Sequence, residues 1–384
     1  MSLVAALALT GLGACSRDLP NNNLPATVVE RGKNEAGAGL YSSLAVDETG
    51  RVHLAYFNAD LGAARHAMWN GDKWVVQSID APGEKSENGR QMHLVAGAGR
   101  LFAAYQQTEY SDAAHDAESA EHVRFAESSD GEKWAAANID KTSFRTGDFI
   151  ALGLAGGNPM VAYYDTSNGD LMFASRDGGT WTIKALDKPG NVGKYVSMDV
   201  SADGHAHLAY YDASYGGLKY AERSDEKVTL EKVTGFSGGT SDAVNAGTWA
   251  AIRSQPLNSA DPKAVAPKIV YYDETRHRLS LAERNGQDDW TTSLIDEGPF
   301  VGTDTAFLWL ADGDLVVAYF DEYNLDCKLA RRGRDGWSRQ TVLSQGAVGM
   351  YNSLAALPGG KLALSTYDLS RGALNYLLLP VRPQ

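Results

Sequence analysis

From residue 41 onward the apolar residues of this chain come in short runs, most of them alternating with polar ones. No stretch holds the three-to-four spacing of an amphipathic helix. The first runs are 41–47, 52–58, 64–69 and 74–80, and a later set repeats them at 148–154, 160–165, 171–175 and 181–187. Each run has strand length. The breaks between them carry hairpin chemistry: Glu48-Thr49-Gly50, Asn70-Gly71-Asp72 and Asp177-Gly178-Gly179. The pattern predicts antiparallel strands in groups of four.

One phrase marks the second strand of each group. It reads Ala55-Tyr56-Phe57-Asn58, Ala104-Tyr105, Ala162-Tyr163-Tyr164-Asp165, Ala209-Tyr210-Tyr211-Asp212, Val270-Tyr271-Tyr272-Asp273 and Ala318-Tyr319-Phe320-Asp321, then more weakly Ser365-Thr366-Tyr367-Asp368. It recurs every 47 to 61 residues. A four-stranded unit repeated near that period is a propeller blade. The expected fold is therefore all-β, a seven-bladed β-propeller over residues 24–384 with four antiparallel strands per blade. Most fourth strands open with tryptophan (Trp74, Trp134, Trp181, Trp290, Trp337), expected to pack one blade on the next. The seventh group stops after three strands, which would leave a bare sheet edge. Residues 24–30 align with the fourth strand at 181–187, so an N-terminal strand is expected to complete the last blade. Two insertions, 108–122 and 254–267, fall in loops.

Before the repeats, residues 3–14 are small and apolar, too short to span a bilayer and suited to a signal peptide over 1–14. They end in Leu12-Gly13-Ala14-Cys15, which resembles a bacterial lipobox. The resemblance implies cleavage before Cys15, a lipid on its sulfur, a lipid-anchored tether over 15–23 and display in the cell envelope, at the outer membrane. Lipidation would use one of the two cysteines and leave Cys327, in an apolar strand, as a buried small hydrophobe.

The formal net charge of −13 argues against nucleic acid, whose phosphates need a basic face. No His/Cys group has zinc spacing and no glycine-rich loop leads into a helix, so neither a metal nor another cofactor is expected. The turns Ser128-Ser129-Asp130-Gly131-Glu132-Lys133-Trp134 and Ser175-Arg176-Asp177-Gly178-Gly179-Thr180-Trp181 resemble the Asp box of sialidase-like propellers, each one residue short before the Trp. In that family the box is structural, and catalysis uses three arginines on the substrate carboxylate with a Tyr/Glu pair and an acid–base Asp. Arg90, Arg145 and Arg371 do not reproduce that arginine pattern in the sequence.

Counting back from the recurring tyrosine places Tyr41, Gln91, Asp148, Tyr195, Trp249 (or Thr248), Asp304 and Tyr351 where the innermost strands begin. These aromatic and acidic residues form one mouth and are the candidate ligand-binding set, fit for the C–H faces and hydroxyls of sugars. A second ring, Asn58, Asp165, Asp212, Asp273, Asp321 and Asp368, reads as turn residues that bond their own backbone, with calcium ligation as the competing reading. The leading functional expectation is a monomeric, lipid-anchored propeller that binds a glycan or an envelope protein at the channel mouth. The alternative is a glycoside hydrolase or lyase with a carboxylate pair such as Asp148 and Asp304. A purely structural role in an envelope complex is a third reading.

Overall fold

A computed structural model describes residues 17–34, 37–112, 114, 118–140, 144–225, 227–236, 244–261 and 265–380; the apolar leader and Cys15 lie outside them. Seven sheets follow one another as blades, and in the first six the innermost of the blade's own four strands comes first in sequence. The innermost strands are Ala38–Val46, Ser86–Gly97, Thr146–Ala155, Val192–Val200, Ala246–Arg253, Val301–Trp309 and Val348–Ala356. Among the described residues the one helical element is a single 3-10 turn, Pro358–Gly360.

The ring closes as the sequence predicts. Blade 7 contributes Val348–Ala356, Leu362–Asp368 and Ala373–Leu379, and its outer strand is Ala26–Arg31 from the start of the propeller. Ala26 pairs with Leu377, Thr27 with Tyr376 and Val28 with Asn375, antiparallel. The segment just before it, expected as a free tether, instead lies along the outer strand of blade 6, Gly336–Leu343. Arg17 and Asp18 pair in parallel with Ser338 and Arg339. The amides of Leu19, Asn22 and Leu24 then donate to the carbonyls of Arg339, Thr341 and Val342. Its polar composition hid this, because backbone groups and polar side chains such as Asp18 and Asn23 make most of the contact, with Leu24 packing on the core at its end.

Adjacent blades are joined in two ways. Most of the outer-strand tryptophans lean on the third strand of the preceding blade: Trp74 on Tyr376, Trp134 on His66, Trp181 on Phe125 and Trp290 on Tyr220, with ring centroids 5.1–5.3 Å apart. Nearer the channel, the recurring tyrosine reaches back to a carboxylate at the end of the preceding blade's outer strand. Tyr56 donates to Glu30, and Tyr105 to Asp80 at 2.7 Å. Tyr163 donates to Asp140 at 2.5 Å, Tyr210 to Asp187 at 2.8 Å and Tyr319 to Asp296 at 2.7 Å. In four of these junctions a cation opposite the tyrosine completes the set: Arg65, Arg124, Lys219 and Lys328. Burial first, and the carboxylate second, hold phenols such as Tyr105 and Tyr319 well above their ordinary pKa, so they remain hydrogen-bond donors.

Candidate functional site at the channel mouth

The mouth is built by one local device repeated in every blade. Two residues of the innermost strand oppose a single residue of the second strand, a β-bulge. Tyr41 and Ser42 stand against Tyr56, for example, and Trp249 and Ala250 against Tyr271. The first bulge residue takes a left-handed backbone in each blade: Tyr41 at φ 54°, Gln91 at 54°, Phe149 at 52°, Tyr195 at 53°, Trp249 at 52°, Asp304 at 47° and Tyr351 at 50°. Bulky residues in this region cost of order 1–2 kcal/mol apiece. The bulge turns their side chains in over the channel.

A glycine two residues earlier makes room for the turn. A Cβ on Gly193 would meet the Leu171 Cα at 2.9 Å, and one on Gly247 the Leu218 Cα at 2.8 Å, in both cases the third strand of the preceding blade. Gly39, Gly89, Gly147, Gly302 and Gly349 stand in the same register at positive φ. The motif is thus Gly-x-collar residue in all seven blades.

This motif corrects one sequence assignment. In blade 3 the collar residue is Phe149, and Asp148 stands one residue outside it. The Asp148 carboxylate accepts from Gln106 Nε2 at 2.9 Å and from Thr166 Oγ1 at 3.0 Å. The slip comes from the hairpin. Blade 3 turns through two residues between Ala155 and Asn158, whereas blade 1 turns through five between Val46 and Val52, so the count back from the tyrosine changes parity. The other six predicted residues, Tyr41, Gln91, Tyr195, Trp249, Asp304 and Tyr351, come together with Phe149 around a cavity of about 210 Å³.

The collar has two aromatic arcs. Phe149, Tyr195 and Trp249 follow one another in tilted contact with centroids 4.5 and 5.1 Å apart, and Tyr41 meets Tyr351 at 4.7 Å. Gln91 and Asp304 separate the arcs. Burial lifts the Asp304 carboxyl to about 7, with Glu322 adding to the rise and the Tyr351 backbone N–H opposing it. It can therefore hold or release a proton near neutrality. Burial also raises Tyr41 and Tyr351, which keeps both phenols protonated. Around the collar, the loops of the same face present Phe144 (64% exposed), Tyr215 (65%), Phe300 (50%) and Tyr323 (70%). The sequence reading missed this outer aromatic rim, because each ring sits alone in a polar loop.

The acidic second ring has a local role. Asp165 Oδ1 accepts from the amides of Ser167 and Asn168, and Asp273 and Asp321 each accept from the amide three residues on, at 3.0–3.1 Å. These are turn contacts. The arginines weighed for carboxylate binding also have close acidic partners: Arg90 with Glu87, Arg145 with Glu121 and Arg371 with Asp368, at 2.7–2.9 Å.

No protein-family model matches the chain, and no curated protein matches it in sequence. Solved structures do. It is similar to a protein of unknown function from Dyadobacter fermentans, with 12% identity and a TM-score of 0.54 over 93% of this chain and 99% of that one. It is similar to an ulvan lyase, described as a new family of polysaccharide lyase, at 10% identity and TM-score 0.54 over 93% and 95%. A Hadza microbial sialidase follows at 14% identity and TM-score 0.52 over 82% and 73%. At such identities the likeness is one of architecture, and what it shows of this chain is a propeller fold shared with proteins of several different functions.

Proposed function

We propose that this protein is a carbohydrate-binding propeller of the bacterial cell envelope, tethered by a lipid on Cys15, that lays a glycan across the collar. The observation that carries the reading is the pair of facing aromatic arcs at the mouth, Phe149–Tyr195–Trp249 and Tyr41–Tyr351, widened by the exposed rings of the rim. Aromatic faces take the C–H faces of sugars at small entropic cost, while Gln91, Asp304 and the phenol hydroxyls supply donors and acceptors for ring hydroxyls. The acidic chain favours a glycan that is neutral where it meets the collar. A glycan array followed by titration of its best ligand tests the reading. Trp249→Ala and Tyr195→Ala should each weaken binding by roughly 1–3 kcal/mol with the fold intact. Full affinity in both variants would remove the collar as the site.

A second reading rests on Asp304. A carboxyl that titrates near neutrality over the channel, beside two protonated tyrosines, suits general acid–base work on a glycosidic bond. Under it, Asp304→Asn abolishes turnover while binding changes little. A sialidase mechanism draws no support from Arg90, Arg145 and Arg371, each already held by an acid. Asp148, the acid partner expected from the sequence, turns to Gln106 and Thr166.

A further inference from the structure

Below the collar the channel opens into a cavity of about 750 Å³ that continues to the loops of the opposite face, at Glu48, Leu257, Asn258 and Pro358. Its polar lining is unbalanced. Arg253, from blade 5, faces it in a chain of net charge −13. Among the described residues its guanidinium has one hydrogen bond, to the Ile252 carbonyl at 2.7 Å, and no ion pair. Arginine carries five N–H donors, so most of the fork is left to the channel. His93, from blade 2, lines the same cavity, and the charge of Arg253 reaches its imidazole.

Three serines add to this. Ser43 Oγ accepts the Leu94 amide at 2.9 Å, Ser353 Oγ the Leu44 amide at 2.9 Å and Ser197 Oγ the Ile252 amide at 3.2 Å, each from the following blade. A hydroxyl that accepts from a backbone N–H still has its own proton to donate. All three line the cavity. Of the carboxylates at its far rim, Asp47 caps its own turn through the amides of Thr49 and Arg51 and contacts His53, while exposed Glu48 accepts the Gly99 amide at 3.3 Å and otherwise faces solvent. The interior is therefore rich in donors and poor in acceptors.

We propose that this cavity is an anion site, in which Arg253 and His93, helped by the hydroxyls of Ser43, Ser197 and Ser353, hold a small oxoanion: a sulfate, or the carboxylate of a compact acid. The site lies beneath the collar, opens to the other face, and does not depend on the collar binding a glycan. Arginine is suited to it because its planar fork matches a carboxylate or sulfate edge. Proton linkage follows. Burial, and Arg253 second, push the His93 imidazole down to about 4, and one of its ring nitrogens is tied to the Ile150 backbone. An anion between the two groups favours the imidazolium and raises that value. Binding must then take up a proton and tighten as pH falls through that raised value toward 4.

Calorimetric titration of the whole protein with sodium sulfate, which keeps its charge over this range, and in parallel with sodium acetate, tests the assignment. Wild type should bind at least one of them. Arg253→Gln should weaken that binding roughly 10- to 100-fold, as expected for loss of charged hydrogen bonds. His93→Gln should retain binding near pH 8 and lose the tightening at low pH. Both variants should melt with the wild type. Absence of binding by folded wild type at tens of millimolar of either salt, or equal affinity in Arg253→Gln, overturns the proposal. A pH dependence that survives His93→Gln overturns the role given to the imidazole.

Discussion

Two junctions in the ring solve the same problem by different means. Between blades 1 and 2, Tyr105, Asp80 and Arg124 form one closed set: the phenol donates to Asp80 at 2.7 Å and the guanidinium does so at 2.7 Å. Between blades 6 and 7 that set has no counterpart. The position of the tyrosine holds Thr366, whose hydroxyl donates to the Met350 carbonyl, and the outer strand of blade 6 ends at Leu343. This is the junction that the N-terminal segment spans, with 17–24 laid on blade 6 and Ala26–Arg31 built into blade 7. Arg331 adds a bond to the Pro380 carbonyl. Side chains latch the seam between blades 1 and 2, and also the seam between blades 7 and 1 through Tyr56, Glu30 and Arg65. Between blades 6 and 7, backbone pairing with the returning N-terminal segment takes the place of the latch. The fourth-to-fifth junction is intermediate, since the Tyr271 hydroxyl meets Ser280 and Thr234 and no carboxylate.

The comparison can be broken at its strongest point first. Removing residues up to Arg31 strips the outer strand from blade 7 and exposes Ala373–Leu379 as an edge. The ring should lose its cooperative melting transition, read by circular dichroism, and gain aggregation. Next comes the latch. Asp80→Ala leaves Arg124 and Tyr105 without their shared acceptor and should cost about 3–5 kcal/mol in denaturant unfolding, the range for breaking a buried pair. Tyr271→Phe, at the junction that has no carboxylate, should cost only about 1–2 kcal/mol, the loss of neutral hydrogen bonds to Ser280 and Thr234. Equal losses for the two would show that the charged set adds nothing. The smallest effect belongs to removal of residues up to Asn23, which gives up the strand laid on blade 6 but keeps Ala26–Arg31. A shift of a few degrees is expected, and a collapse equal to that of the longer truncation would place the closure in the wrong segment.

Much of this was legible in the sequence where the molecule repeats itself. The recurring tyrosine, the tryptophans and the orphaned strand at 24–30 follow from one blade seen seven times. The collar was legible in six of its positions and slipped in the seventh, because counting from Tyr163 could not see that Gly156-Gly157 makes a shorter turn. Gly147, two residues before Phe149, carried the signal that would have set it right. The acids that receive the tyrosines were in plain view at Asp80, Asp187 and Asp296, but their partners lie in the next blade. Arg253 and His93 escaped for the opposite reason: each occurs in one blade only, and a residue that breaks a repeat has no periodic signal to give it away.

The strand Ala26–Arg31 also sets a schedule. It is among the first parts of the propeller to be synthesised, and its partner Ala373–Leu379 is among the last. Until the two meet, the first strand has no sheet to join and the last blade has a free edge. Contacts between such distant parts of a chain are slow to form. Early blades can assemble as they emerge, but the final closing step must wait for the end of the propeller, and through that interval the incomplete blade is the part most exposed to wrong partners and to chaperones.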